Sequence, residues 1–537
     1  MNYWPRRKRN MMQSRLVENW LIKAKELTYT VPFAQLLALK GYRILHISKG
    51  GSVEQGKDII AIDKNGDVHC YQLKCGDIGT TQWRAIKTEV DELVQIPPKH
   101  PSLPTDVKVW HSYLVTNGML NNTSARTIDD YSREMSEKGF SKLQTILKDE
   151  LVEDFTDFYG SFFPDSPEEL QAFLGIYNQP GDDTLSNQEY KTYFERYFSG
   201  INTKSKQKKL EAINASVIIC SYLLTNKYAT DNHAEIIKAW TLLLVTIYEY
   251  AYRQGIKDKE ISDTEQLIFE ALELAYRQLI DEVVQNETML VDGKYDLLSE
   301  PFMVHKIRCT ELLGLITAYF NYCILRNIEP YCPEGLVDKL VFMSKNKAIL
   351  GEAYIPLILN YVVFLLRINK GDQAIAELNG LLSGLLSTHG RNQPGTPSPY
   401  YSLVEAAEIA LDLEDSPVKE SFEGRSYALW SVVLLLARLE QRELLSHHWR
   451  LISYVSCQEL EPEDTNDLLL WRCDKGVLQD KFPNPEQSWK LLQEEANRDY
   501  SENLPEALQV RKHIVPFWLN VMPQRLTKST LMAMLKV

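Results

Sequence analysis

Hydrophobic periodicity changes character once along this chain, near residue 150, and that change limits the folds open to it. Upstream, short strand-like runs are interleaved with stretches at helical spacing. Downstream of about residue 190, almost every periodic segment is helical, as in "AEIIKAWTLLLVTIYEYAY" and "ELLGLITAYFNYCILR". The expected architecture is therefore an α/β domain over residues 1–150, an acidic turn-rich linker over 151–190 and an all-α region over 191–537.

Within the first part, "TVPFAQLLALKG" reads as a short helix with Pro32 in its first turn and Gly41 as its stop. "YRILHIS" (42–48) alternates as a strand. "DIIAID" (58–63) and "VHCYQLK" (68–74) are strands joined around Asn65-Gly66, a strong hairpin signal. "TTQWRAIKTEVDELVQ" is a helix ended by Pro97-Pro98, "VKVWHSYLVT" (107–116) a buried strand, and "NTSARTIDDYSREMSEKG" a helix starting near Thr123 or Ser124. The predicted order is α-β-β-β-α-β, followed by a helix.

In the helical part, "PLILNYVVFLLRINKGDQAIAELNGLLSGLL" reads as two helices joined by the tight "NKGD" turn. This hairpin resembles one tetratricopeptide unit, but no second clear copy follows at the repeat period of roughly 34 residues. A degenerate helical-repeat array and an irregular helical domain both remain open. "THGRNQPGTPSPYYS" (388–402) reads as an exposed loop.

Charge is uneven. Residues 1–150 carry 22 Lys and Arg against 17 Asp and Glu, and the remainder carries 37 against 55. A mildly basic segment on an acidic body suits a polyanion partner for the first part only. The chain has 8 cysteines but no CxxC pair or zinc-finger spacing, so reduced thiols in a cytoplasmic protein are expected. The basic start "MNYWPRRKRNMM" has no apolar stretch after it. The longest uncharged apolar run, 353–366, is too short to span a bilayer and contains Pro356; a buried helix and no membrane contact are expected.

The chemistry-bearing residues lie on the hairpin. Asp58 opens one strand, and Gln72 and Lys74 close its partner, two apart and so on one face. A turn at Asn65-Gly66 brings position 58 to the same open end as 72–74. A carboxylate, an amide oxygen and an ammonium group then converge, the set that metal-dependent phosphodiester cleavage needs. Mg²⁺ or Mn²⁺ takes hard oxygen ligands, lowers the pKa of a bound water and offsets phosphate charge. A neighbouring lysine stabilises the transition state electrostatically. Asp58 and Gln72 are the candidate metal ligands with the Leu73 backbone carbonyl as a third, and Lys74 is the candidate catalytic cation. Lys57, Arg84 and Lys87 flank the site as candidate phosphate contacts. The plainer reading of the same residues is a turn cap at Asp58 and polar residues on a strand edge.

The element order, with "GKD" opening the second strand and "QLK" on the third, resembles the PD-(D/E)XK nuclease superfamily. The closer resemblance is to Mrr-like restriction endonucleases, which carry glutamine in the second acidic position. "FAQLLALKGYRI" and "YLVTNGMLNNTSART" are similar to that family's leading helix with its first strand and to its late strand and helix. The likeness covers roughly residues 27–140. Two departures are visible: Lys57 replaces the proline before the aspartate, and Ala34 and Gln35 stand where the leading helix often presents a glutamate. Glu18, Glu26 or Glu54 could supply that carboxylate.

The resemblance implies a metal-dependent DNA endonuclease, restrained until triggered, acting in prokaryotic defence against foreign DNA. It also implies a dimer or larger homo-oligomer, because one such domain holds one active site. The helical region would then regulate, oligomerise or bind an activating protein partner. The second function class is a non-cleaving nucleic-acid clamp whose helical region recruits a protein.

Overall fold

The computed structural model describes residues 14–15, 17–48, 55–104, 107–159, 167–285, 300–389, 395–411, 422–473 and 475–535. Glu54, the basic N-terminal cluster, residues 160–166 of the expected linker and residues 390–394 of the expected loop lie outside them. The chain divides into two compact units. One comprises residues 1–185, 196–243 and 256–274, and the other comprises 186–195, 244–255 and 275–537.

The first unit is built on a five-stranded sheet: β1 (Arg43–Ile47), β2 (Ile59–Ile62), β3 (Val68–Lys74), β4 (His111–Thr116) and β5 (Leu143–Ile146), in that spatial order. The first two pairings are antiparallel and the last two parallel. Helix α1 (Glu26–Leu39) precedes β1, α2 (Thr80–Gln95) crosses from β3 to β4, α3 (Asn122–Glu137) leads to β5, and α4 (Lys148–Tyr159) follows it. The predicted order of elements is present, with β5 and α4 added. "KLQTIL" escaped the sequence reading because only four residues form this edge strand, and only Leu143 among them is fully buried.

The turn between β2 and β3 is fixed by Asp63, whose carboxylate accepts from the Asn65 and Asp67 amides at 2.9 Å each, while Gly66 takes φ +92°. α3 is capped by Asn121, which accepts from the Ser124 amide at 2.7 Å. Between the sheet and helices α2 and α3 lies an apolar core including Ile60, Cys70, Trp83, Leu93, Leu114, Ile128 and Leu143. α1 covers the opposite face, where Phe33 meets Tyr71 edge-to-face at 5.5 Å.

α1 begins one turn earlier than expected, so Pro32 lies inside it rather than in its first turn. Thr28 to Leu37 are all buried, and this packing outweighs the hydrogen bond that proline removes. The earlier start brings Glu26 to the helix N-terminus.

Asn117, just after β4, ties three segments together: its amide donates to the Leu21 and Ala24 carbonyls at 2.6 and 2.8 Å and accepts from the Gly76 amide at 2.7 Å. Gly76 lies two residues beyond Lys74, so this buried side chain anchors the end of β3. Asn117→Ala should destabilise this unit by about 2 kcal/mol and speed hydrogen exchange at the Gly76 amide. Unchanged protection at Gly76 would refute that anchoring role.

The second unit is mainly helical. Its long helix Glu300–Arg326 packs on Ile355–Arg367, which turns through Asn369 (φ +59°) into Gly371–Thr388, the hairpin expected from "NKGD". The expectation of a wholly helical region needs correction. A three-stranded sheet is present, formed by β6 (Arg425–Ser426), β7 (Ser456–Pro462) and β8 (Gly476–Lys481). Five of the six β8 residues are exposed and β6 has two residues, so neither shows the alternation that marks a half-buried strand. No described helix is long and apolar enough to cross a membrane.

Candidate functional site

The ladder pairs Ile59 with Tyr71, and Asp58 extends it by one residue: its amide donates to the Tyr71 carbonyl at 2.8 Å and its carbonyl accepts from the Ser48 amide at 2.6 Å. The Asp58 side chain is thereby delivered to Gln72 and Leu73. Its Oδ2 accepts from Gln72 Nε2 at 2.8 Å and from the Leu73 amide at 2.6 Å. Both Asp58 and Gln72 are buried. This is the convergence that a turn at Asn65-Gly66 predicts.

Lys74, two residues on, points to the same face as Gln72 and meets two carboxylates. Its Nζ lies 2.8 Å from Glu89 Oε2 and 3.2 Å from Glu26 Oε2. Glu89 Oε2 also lies 3.4 Å from Gln72 Nε2, so the acid, amide and ammonium groups form one connected cluster. Burial opposes the Lys74 charge most strongly, but the hydrogen bond to Glu89 and the charges of Glu26, Glu89 and Asp58 together raise its pKa. Lys74 therefore stays an ammonium ion at neutral pH. Burial raises the Glu26 carboxyl against the pull of Lys74. Behind the cluster, the buried Tyr29 of α1 donates to the Lys74 carbonyl at 2.6 Å and fixes the strand end.

One polar atom is left over. Gln72 Oε1 is buried and has no hydrogen-bond partner among the described residues. A buried acceptor with nothing to accept from costs about 1–3 kcal/mol, and it is a hard oxygen of the kind Mg²⁺ and Mn²⁺ take. Asp58 and Glu89 lie at 2.8 and 3.4 Å from the nitrogen of the same amide and Glu26 lies on Lys74 at 3.2 Å, so the donor chemistry of the cluster fits such an ion. In the arrangement seen, Lys74 stands between Glu26 and Glu89, and among the described residues no three His, Cys, Asp or Glu side chains gather at metal-ligand spacing.

Of the three carboxylates weighed for completing the site, Glu26 joins it. Glu18 instead pairs with Lys148 at 3.1 Å, and Glu54 is outside the described residues. The three flanking cations have different fates. Lys57 is buried with its ammonium on the Gln55 and Glu92 carbonyls at 2.8 and 3.1 Å, so it stitches the loop before Asp58 to the end of α2 and is not presented to a phosphate. Lys87 pairs with Asp91 at 2.9 Å and lies over the Tyr131 ring. Arg84 is exposed on α2. His69 and His111 stack at 4.7 Å on the other face of the sheet, beside Tyr71 and Tyr113.

The local sequence pattern does not single out Glu89 or Tyr29. A signal for Glu89 did exist: a crossover helix between parallel strands packs on one sheet face, and the carboxylate precedes the core residue Val90 by one position. Close approach also matters here. Gly56 takes φ +67°, and a Cβ there would sit 2.1 Å from the Glu89 carbonyl oxygen, so only glycine lets the Asp58 loop lie against α2. No protein-family model, curated protein or solved structure matches the chain.

Proposed function

We propose that the chain is a metal-dependent endonuclease that hydrolyses DNA phosphodiester bonds at the Asp58–Gln72–Lys74 cluster. One observation carries this reading: Asp58, Gln72 and Lys74 converge on one face at the end of β3, and the cluster leaves the buried Gln72 Oε1 without a partner. A polar strand edge facing water has no need to bury these groups together, because an unsatisfied buried acceptor is costly.

Asp58 and Gln72, with the Leu73 carbonyl and one of the two glutamates, would hold Mg²⁺ or Mn²⁺. When bound, the ion supplies Lewis acidity at the phosphate and a water of lowered pKa. The chain's own groups do the rest. Lys74, kept protonated by its carboxylate neighbours, serves as a fixed positive charge for the pentavalent phosphate and not as a proton acceptor. Glu26 and Glu89 hold it in place before substrate arrives, and Tyr29 holds the backbone that carries it. Arg84, exposed on the helix that carries Glu89, is available to the DNA backbone.

Supercoiled plasmid incubated with the purified chain should be nicked or linearised in Mg²⁺ or Mn²⁺, and chelation should stop the reaction completely. Asp58→Asn should weaken Mn²⁺ binding in calorimetry by at least about tenfold, since it removes the only formal charge among the proposed hairpin ligands. Cutting that survives chelation would sink the metal assignment. DNA binding by the wild type with no cutting in any divalent metal would favour a clamp instead.

A further inference from the structure

The second unit carries two adjoining hollows of its own. A cavity of about 280 Å³ opens between β7, the end of β8 and the helices Leu429–Arg438 and Trp489–Asn497. Tyr427, Trp430 and Phe482 give it aromatic walls, and Gln487, Glu495 and Gln458, whose amide donates to Asp480 at 3.0 Å, share the same lining. A second hollow of about 230 Å³ shares Glu459, Thr527 and Lys528 with the first and adds Glu461, Tyr500, Asn503 and Ser529. The first hollow lies just under the range of about 300–1,000 Å³ usual for small-ligand sites, with aromatic walls and a few polar groups, and the second adjoins it through the three shared residues.

The charges select the ligand. Lys528 stands where the two hollows meet, but its ammonium is already matched by Glu495 at 2.9 Å and Glu459 at 3.4 Å. Lys481 is matched by Glu461 at 3.2 Å. Glu495 Oε1 also accepts from Trp430 Nε1 at 3.0 Å, which sets the indole against the cavity. Three carboxylates thus meet two lysines, and neither lysine is left over for an anion. Hydroxyl and N–H donors suit such a lining better than phosphate oxygens. Cys457 in the wall is a neutral thiol, pushed up to about 12 by burial. Three aromatic rings and amide-bearing residues in one lining suit a heteroaromatic base, which can stack on a ring and bond along its rim. The hydroxyl- and carboxylate-lined second hollow suits a sugar.

We propose that this double cavity binds an unphosphorylated nucleoside, with the base between Tyr427, Trp430 and Phe482 and the sugar hydroxyls toward Glu459 and Glu461. The proposal is independent of the nuclease reading.

Isothermal calorimetry with the full-length chain tests it, using the common ribonucleosides and their 5′-monophosphates as probes. At least one nucleoside should bind saturably, and more tightly than its monophosphate. Trp430→Leu should weaken that binding about tenfold or more, the loss expected for one base-stacking aromatic, and Trp430→Phe should recover part of it. Glu459→Gln should narrow the preference for nucleoside over monophosphate by leaving Lys528 less neutralised. Thermal melts of each variant identify a misfolded protein, and if Trp430→Leu fails that check, the Trp430→Phe and Glu459→Gln titrations decide. Absence of saturable binding by every nucleoside, a tighter monophosphate, or binding indifferent to these substitutions in folded protein would overturn the proposal.

Discussion

Lys74→Ala should leave the chain folded and reduce plasmid cleavage by about 10²–10³-fold or more, the size of effect seen when one preorganised charge is taken from a developing phosphorane or oxyanion. The Lys74 side chain is only 14% exposed and sits between two carboxylates, on the same strand face as Gln72. Alanine removes the charge and leaves Glu26 and Glu89 facing each other without it, so some stability should be lost as well. Lys74→Arg separates the two effects: guanidinium keeps the charge and the fold but displaces the donor, so a folded arginine variant should recover only part of the rate. Equal cutting by wild type and Lys74→Ala would mean that the activity comes from elsewhere.

The second large effect concerns Glu352 in the helical unit, which is 2% exposed. It accepts from the Ser426 hydroxyl and, at 2.8 Å, from the Tyr427 amide, linking the start of helix Ile355–Arg367 to β6. Burial pushes its carboxyl up from 4.5 to about 7 in spite of these bonds. A raised acid pKa means that the folded state keeps a proton the unfolded chain has released. Stability should therefore be greatest below the unfolded value and fall as pH rises through the folded one. The cost of ionising this site is on the order of 3 kcal/mol once pH exceeds the folded pKa. Glu352→Gln, whose amide can donate to the Ser426 hydroxyl and accept from Tyr427, should remove that dependence. Melting followed from about pH 5 to pH 8 checks it: wild type should weaken across the range more than the glutamine variant, and parallel curves for the two would refute the assignment.

The local text of the chain was enough for the hairpin. Asp63, Asn65, Gly66 and Asp67 make a turn from bonds within five residues, and that turn fixes the register of the two strands, which pairs Ile62 with Val68 and Ile59 with Tyr71. Once that register is set, Asp58 must meet Gln72, and Lys74 must share its face. The same is true of "NKGD" between its two helices, where one left-handed asparagine reverses the chain.

What surrounds the hairpin was decided by tertiary packing. Glu89 reaches Lys74 because α2 docks on that sheet face, with Gly56 allowing the contact. Glu26 reaches it because burial on nearly all sides of α1 extends the helix past the point where Pro32 would start it. The place of Lys57 beside Asp58 in the sequence suits a phosphate contact, yet the end of α2 offers it a backbone carbonyl and it is buried there. β6 and β8 exist only because β7 lies between them to supply their hydrogen bonds. The sequence by itself determined which groups meet across one turn, since bonds a few residues apart carry little loop entropy. Which distant carboxylates complete the cluster, and which lysine is lost to it, depended on contacts that no local pattern encodes.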